Sequence, residues 1–436
     1  MPHLDIATGR KPELSFSARA AALVLWLIIF KPTPVLLLGY FGAKIGDMLI
    51  VFTAIAAIVL TIRKLRTPIS RYPVTLVILV SLLGLEIQGA LYGSTSWLPT
   101  TVLDSVQFVN WVNFIILYLF GCTVAPFFGA QLLKKLLPIV IVFSVFSWVL
   151  FFNLGNIKSV ASLMFELGKS RGIENSASHL GLFRLASTFG NPNYFGLFCA
   201  YLAALGVYLS LIAQGNLGKW IAFTTSAVLL TLLSGSRTAA AAFIIAGSCA
   251  ALFAGFDLAQ KKKFSRLLIL TAVVTPFAFY FGASFIVSNI EKLERYTDIQ
   301  NMSESWNARA LVWENLSDLN TSAYTILFGV GSHEIHTGNL DSQYVATLYR
   351  MGIFGLLCLA CLLVWSIYIG GKLRKRSYGT LDNGLGASMQ ILALVLIVGS
   401  TTAQSFSHFQ TAAFFLLQLA VVENRVFQRV RAKGIR

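Results

Sequence analysis

Charged residues are scarce in this sequence, and acidic ones are the scarcest. Asp, Glu, Lys and Arg make up 12% of the 436 residues, whereas the apolar types AVILMFWYC make up 56%. A soluble fold of this length needs far more polar side chains to cover its surface. The shortage of charge therefore excludes a soluble enzyme, a coiled coil and a disordered chain, and it predicts a polytopic membrane protein.

Cysteines and common catalytic motifs are also scarce. The five cysteines all lie in apolar stretches, so we interpret Cys358 and Cys361 as packing residues rather than as a redox pair. His333 and His336 are too few for a metal site. The sequence contains no Walker motif, no paired catalytic carboxylates, no Ser/His/Asp set and no haem-ligation pattern. We therefore expect no metal and no cofactor.

Long apolar runs occupy most of the chain, and a run of about 20 residues is long enough to cross a bilayer as a helix. We predict an all-α membrane protein that forms one integral domain over residues 1–436, with about twelve transmembrane helices. The predicted spans are about 18–39, 46–62, 73–92, 106–128, 136–153, 193–214, 219–235, 238–255, 267–288, 345–370, 386–404 and 405–423. The polar N-terminal segment lacks the apolar region of a secretory signal, so we expect no cleavage there.

The basic residues give a formal net charge of +16 and cluster in short segments between alternate apolar runs. This is the pattern of the positive-inside rule rather than of a nucleic-acid-binding surface. It predicts that both termini face the cytoplasm. The two long connections, 154–192 and 289–344, then face outward, and we expect short amphipathic helices in them. Loops of this length are usually functional, so the outer face is the predicted working surface.

Two arginines stand at the outward ends of predicted helices. Arg184 precedes Asn191 and Pro192, which suit the N-cap and first position of the sixth span. Arg237 follows Ser236 in the first turn of the eighth span, where a cation is electrostatically unfavourable. A bound anion would explain both arginines. The alternative for Arg237 is that it reaches the interface or pairs with a buried acid.

The second long connection holds further candidates. Residues 303–316 have an amphipathic pattern that places Arg309 near the apolar face, with a solvated arginine as the alternative. His336 and Asp341 come shortly before the tenth span. Either Asp341 or Ser342 caps that helix, or Asp341 is a carboxylate held at the membrane surface opposite the arginines. Three arginines at the outer interface suit a diphosphate on a lipid carrier, because guanidinium binds phosphate through a bidentate fork.

Taken together, these residues resemble the bacterial family of O-antigen ligases and O-antigen polymerases. The resemblance lies in R-x4-F-G-N-P-N from Arg184 to Asn193, Ser236-Arg237, Arg309 with Trp313, Gly329-Val-Gly331, and Asp341-Ser-Gln-Tyr344 followed by Gly352-Ile-Phe-Gly355. It covers about 180–360 at the level of motifs, together with the layout of spans. Ligases of the family carry a histidine where this chain has Asp341, which favours the polymerase branch. His336, five residues upstream, keeps the ligase alternative open.

The resemblance implies an inverting glycosyltransferase in the bacterial inner membrane with a periplasmic active site. The implied donor is an undecaprenyl-diphosphate-linked oligosaccharide, and the polymerase would transfer this glycan to a new lipid-linked repeat unit. The ligase alternative would transfer it to lipid A core. Membrane lipid and a polysaccharide chain-length regulator are further expected partners, and nucleic acid is not expected.

Residue roles follow from the same resemblance. Arg184, Arg237 and Arg309 would bind the diphosphate and stabilise its growing charge. The acceptor hydroxyl would be oriented or deprotonated by Asp341, or by His336 in its place. The further residues expected on the acceptor side are Asn193 and Tyr344.

A transporter is the competing class of protein. Transporters usually place ionisable groups near the bilayer midplane, often on broken helices in two repeated halves. Asp47 and Glu86 are the main acids inside the predicted spans, and both lie toward the outer ends. No repeat between the two halves is visible, so we favour the enzyme.

Overall fold

The protein is described here from a computed structural model. The described residues are 13–32, 35–62, 74–95, 102–128, 131–164, 185–212, 217–259, 307, 310, 322–331, 342–376, 381–406 and 408–434. In these ranges every regular element is a helix, and no strand is present. This agrees with the predicted all-α class.

The helices follow one another along the chain as a bundle. They are α1 (Glu13–Phe30), α2 (Val35–Ile62), α3 (Val74–Thr95), α4 (Val102–Phe128), α5 (Leu132–Phe152), α6 (Ile157–Met164), α7 (Pro192–Ile212), α8 (Leu217–Leu233), α9 (Arg237–Ala259), α10 (Ala323–Phe328), α11 (Gln343–Arg376), α12 (Leu381–Gly399) and α13 (Phe409–Gly434). The end of the bundle at which α7 begins is called the outer end, after the predicted topology.

Seven of the described helices contain a stretch long and apolar enough to cross a membrane. Three more contain shorter apolar stretches, which are Arg19–Phe30, Ile45–Leu60 and Leu217–Leu233. The protein is therefore a polytopic membrane protein by the length and composition of its helices. The number of twelve stays a prediction, because the predicted span 267–288 lies outside the described residues.

The boundary between the first two helices differs from the predicted one. A first span over 18–39 was expected, but α1 ends at Phe30 and α2 begins at Val35. Pro32 and Pro34 lie between them in the sequence. Proline has no N–H to donate and disfavours a helical residue before it, so apolar composition alone places this boundary too late.

The centre of the bundle is formed by α7 and α12, since 83% of the residues in each of their apolar stretches are buried. A helix that is apolar on all sides belongs in the interior. Small residues allow the neighbouring helices to approach closely: a Cβ at Gly196 would collide with Ser234 and Ala239, and one at Gly206 with Thr224. These contacts join α7 to α8 and α9.

Buried charges lie at the inner end of the bundle. Asp257 of α9 pairs with Arg374 of α11 at 3.2 Å. The Tyr208 hydroxyl lies 2.7 Å from an Asp257 carboxylate oxygen, and the Asn383 amide donates to the Arg374 carbonyl at 3.0 Å. All four side chains are buried. This cluster links the inner ends of α7, α9, α11 and α12.

Within the predicted connection 154–192, the described residues contain one short helix, α6. In α6, Val160 and Leu163 are exposed while Ala161 is buried. The amphipathic helix expected over 303–316 lies outside the described residues, apart from 307 and 310.

Candidate functional site

The first residues of α7, α9 and α11 are linked at the outer end by one loop, residues 400–408. At the α11 side, Gln343 donates its backbone N–H to the Ser400 carbonyl at 2.9 Å. At the α9 side, the hydroxyls of Thr238 and Thr402 are hydrogen-bonded. At the α7 side, His408 contacts the segment that precedes the helix. Elements far apart in the sequence thus meet at one surface.

The segment before α7 has a defined fold. Leu185 donates its N–H to the Leu233 carbonyl at 3.0 Å, and Gly190 turns the chain with a φ of 67°. The Asn191 side chain then accepts the N–H of Asn193 at 2.8 Å. The predicted helix start at Asn191 and Pro192 is confirmed. Asn193 therefore lies in the first turn of α7, partly buried at the outer end.

Arg237 is the first residue of α9. The turn before it is held by two serines: Ser236 accepts the Ala239 N–H at 3.3 Å, and Ser234 accepts the Ser236 N–H at 3.2 Å. The predicted capping role of Ser236 is confirmed. The guanidinium of Arg237 thus belongs to a residue at the positive end of a helix, and that residue is only partly buried. An anion at this position would be favoured by both the helix and the side chain.

Helix α11 begins with a cap from Ser342. The Ser342 hydroxyl accepts the Val345 N–H at 3.4 Å and donates to the Ser400 carbonyl at 3.2 Å. Ser342, one of the two cap residues that the sequence offered, therefore caps this helix, and the other, Asp341, lies outside the described residues. Tyr344 donates its hydroxyl to the Ile397 carbonyl of α12 at 2.8 Å, so this hydroxyl is used in helix packing.

A break in α11 explains the glycine motifs. Gly352 has φ 65° and ψ −164°, a non-helical conformation. The Tyr349 and Arg350 carbonyls accept the N–H groups of Val330 and Gly331 at 3.0 and 3.1 Å. Because a Cβ at Gly331 would collide with the backbone of α3, and one at Gly352 with the backbone of α10, glycine is required at both positions. Residues 343–351 thus form a separate outer half of α11.

Four predicted site residues, Arg184, Arg309, His336 and Asp341, lie outside the described residues. Leu185, which follows Arg184 in the sequence, and Ser342, which follows Asp341, belong to the linked outer surface described above. Within the described ranges, no group of His, Cys, Asp or Glu side chains forms a ligand set for a metal ion.

The loop 400–408 is the part of this surface that sequence reasoning missed. Its residues were divided between two predicted spans, because apolar composition hides a turn of nine residues. The polar run Thr401-Thr-Ala-Gln404 and the isolated His408 were the available signals. Gln410, just after the loop, donates to the Ile28 carbonyl at 3.1 Å and so connects α13 to the end of α1.

Comparison with known protein families gives a match for the central part of the chain. Residues 220–360 match the O-antigen ligase family. This match confirms the resemblance over about a third of the chain, a region that contains Arg237, Gly331 and Gly352. No curated protein matches the chain at a significant level. The matched region runs from within α8 to residue 360 of α11, past the break at Gly352, and it therefore includes two of the three helix starts at the outer surface, those of α9 and α11.

Proposed function

We propose that the protein is an O-antigen polymerase that acts at the outer end of the bundle. The observation that carries the proposal is Arg237, placed at the first residue of α9 within the O-antigen ligase region and beside the loop 400–408. The donor is a glycan linked to undecaprenyl diphosphate. The acceptor is a lipid-linked repeat unit.

The reaction is a single displacement with inversion. An acceptor hydroxyl oxygen attacks the anomeric carbon of the donor sugar, a new C–O bond forms, and the bond to the diphosphate breaks. The electron pair leaves with the diphosphate, and the hydroxyl proton passes to a base. The protein must therefore stabilise negative charge on the leaving group and orient the acceptor.

The diphosphate is the proposed ligand of Arg184, Arg237 and Arg309. Leu185, which follows Arg184 in the sequence, is hydrogen-bonded to Leu233, and Leu233 lies four residues before Arg237. This link supports a common role for the first two arginines. The N-termini of α7 and α9 add their partial positive charges at the same surface. Arg309 is proposed as a third ligand of the diphosphate on the basis of the family resemblance.

The acceptor is the proposed partner of Asp341, with His336 as the alternative. Since Ser342 caps α11, Asp341 is not needed as a cap. A helix N-terminus and nearby arginines favour the carboxylate form of an aspartate, so orientation of the acceptor is its proposed main role. Asn193 is also proposed to lie on the side of the site where the acceptor binds. Tyr344 acts there through its packing on α12.

An O-antigen ligase is the second candidate, because the matched family carries that description. In this alternative His336 deprotonates a hydroxyl of lipid A core. The two candidates use the same donor and differ in the acceptor.

The purified protein in liposomes tests the proposal. Labelled donor is supplied with lipid-linked repeat units or with lipid A core, and the products are separated by size. Longer lipid-linked glycan is expected from the first acceptor, with Asp341→Asn more damaging than His336→Ala. Transfer to lipid A core alone, with His336→Ala inactive, would identify a ligase. Movement of glycan across the bilayer without a new bond would identify a transporter.

The proposed topology places the outer end in the periplasm and both termini in the cytoplasm. With the five native cysteines replaced by alanine, a cysteine at the exposed Leu154 should react with an impermeant maleimide added to intact spheroplasts. A cysteine at Lys219, exposed at the other end, should react only after lysis. The opposite labelling pattern would contradict the assignment and place the site in the cytoplasm.

A further inference from the structure

His408, the last residue of the loop 400–408, packs against the segment before α7. Its ring stacks on Tyr194, with centroids 4.0 Å apart and an angle of 19°. It also stacks on Phe189, at 5.8 Å and the same angle. Phe189 and Tyr194 flank the turn Gly190–Asn193, so one histidine touches both sides of the turn that starts α7.

The hydrogen bonds of His408 define its tautomer. Nε2 lies 3.2 Å from the Phe189 carbonyl oxygen, and a carbonyl can only accept, so Nε2 carries the proton. Nδ1 lies 3.0 Å from the Thr411 hydroxyl, which then donates to it. Both ring nitrogens are used, and His408 is therefore not available as a base for the acceptor.

Neighbouring residues of α13 hold the same segment. Gln410 donates to the Ile28 carbonyl at 3.1 Å and approaches the Thr188 carbonyl at 3.4 Å. Thr188 in turn donates its hydroxyl to Ile29 at 2.7 Å. The segment 185–193 thus rests on α1 and α13, and His408 contacts it next to the start of α7.

The segment has a backbone that needs such support. Ser187 has φ 47° and Gly190 has φ 67°, both in the left-handed region. A non-glycine residue in that region costs on the order of 1 kcal/mol and persists only where the surroundings fix it. Arg184 immediately precedes this segment in the sequence, and Asn193 ends it.

We propose that His408 is a positioning residue for the outer site, which holds the segment 185–193 and thereby the proposed diphosphate-binding Arg184. This inference rests on the proposed function. The neutral ring acts as a spacer between two aromatic residues and as a donor to one carbonyl. It touches no substrate.

Three variants test the proposal. His408→Gln keeps an N–H close to the position of Nε2, His408→Leu removes every hydrogen bond, and Thr401→Val is the matched control. Thr401 lies in the same loop, is exposed, and donates its hydroxyl to the Val398 carbonyl at the end of α12. His408→Leu should lower the turnover number about 10- to 100-fold, as expected for a displaced binding group. His408→Gln should stay within about 3-fold of the native protein.

A double-variant comparison separates positioning from folding. If His408 acts through Arg184, then His408→Leu should have little further effect on turnover in an Arg184→Lys background. An equal loss in both backgrounds would overturn the proposal, and so would a His408→Gln variant as inactive as His408→Leu. Normal turnover of His408→Leu would also contradict it.

Hydrogen exchange gives a readout that does not depend on activity. In detergent-purified protein, the amides of Leu185, Phe189 and Phe195 should exchange faster in His408→Leu than in the Gln and Thr401→Val variants. Unchanged exchange would refute the positioning role even where activity is lost. If the native protein transfers no glycan, the proposed function fails, whereas the exchange result still decides whether His408 holds the segment.

Discussion

At the scale of single residues, arginines with similar sequence contexts have different roles. Arg237 and Arg374 both lie near the end of a long apolar helix. Arg374 is buried against Asp257 and its guanidinium lies 4.5 Å from the Phe253 ring. Arg237 stands at the positive end of α9, partly buried. Arg374 pairs with a carboxylate inside the protein, whereas Arg237 is a proposed ligand of the diphosphate.

The proposed role of Arg237 predicts a specific loss. Arg237→Ala should lower glycan transfer about 10²- to 10³-fold, the effect typical of removing one donor to a developing negative charge. Arg237→Lys should recover little, because the bidentate fork is lost. Transfer assays at equal expression measure both, with Lys219→Ala at the inner end as the control. Near-normal transfer by Arg237→Ala would remove it from the diphosphate site.

The surroundings of His408 predict how stability depends on pH. Burial, and then the positive charge of Lys31, lower the pKa of His408 to about 3, against the weaker opposing effect of the Phe189 carbonyl. The unfolded chain binds a proton near pH 6.5, whereas the folded protein does not. Stability from this residue is therefore complete above pH 6.5 and falls as the pH is lowered toward 3.

Thermal unfolding in detergent at pH 6.5 and 5.5 checks this sign. The native protein should lose up to about 1.4 kcal/mol of unfolding free energy when the pH falls from 6.5 to 5.5. His408→Gln should lose less, since glutamine does not titrate. The other four histidines are present in both proteins, so their contribution cancels. An equal loss in both would mean that His408 titrates normally in the folded state.

At the scale of elements, the break in α11 separates an outer half-helix from a membrane-spanning one. The Tyr349 and Arg350 carbonyls at the end of the outer half accept the N–H groups of Val330 and Gly331, in the segment after α10. Non-helical backbone within a membrane-spanning helix is tolerated where protein covers it. These contacts therefore join α10, the segment after it and the outer half of α11 into one unit at the outer surface.

This geometry predicts that Gly352→Ala is strongly destabilising. Alanine at φ 65°, ψ −164° costs about 1–3 kcal/mol, and its Cβ would also collide with the backbone of Leu327. Gly84→Ala is the control, because a Cβ at this position in α3 has no neighbour within 4 Å. Alanine also favours a helix over glycine. Melting temperatures should fall only for Gly352→Ala, and equal temperatures would show that α11 continues through this position without a break.

At the scale of the whole molecule, polar and charged side chains form clusters at both ends of an apolar bundle. The outer end carries capped helix starts, Arg237 and the loop 400–408. The inner end carries the buried pair of Asp257 with Arg374. It also carries Arg425, which is partly buried and contacts both carboxylate oxygens of the buried Asp382 at 3.3 and 2.8 Å. The helices α9 and α11 connect the two ends, so the inner pairs anchor helices whose other ends form the outer surface.

The inner cluster predicts a non-additive effect on stability. Asp257→Ala should cost about 3–5 kcal/mol, because it leaves the buried charge of Arg374 uncompensated. The double variant Asp257→Leu/Arg374→Met should recover much of that loss. Lys375→Ala, at the exposed neighbouring residue, should change little. Chemical unfolding in detergent measures all three, and a double variant less stable than Asp257→Ala would show that the pair itself stabilises the bundle.

The sequence by itself determined the membrane class, the start of α7 at Asn191 and Pro192, and the serine cap before Arg237. These features depend on local composition and on residues within one turn of each other, which a sequence displays directly. It also supplied the family resemblance, because the order and spacing of the motifs can be read directly along the chain. The tertiary structure decided that Ser342 caps α11 and that Gly352 breaks this helix. It also decided that His408 holds the start of α7, more than 200 residues away. Those outcomes depend on which segments meet in space, and a hydrogen bond from His408 to Phe189 has no counterpart in local sequence pattern.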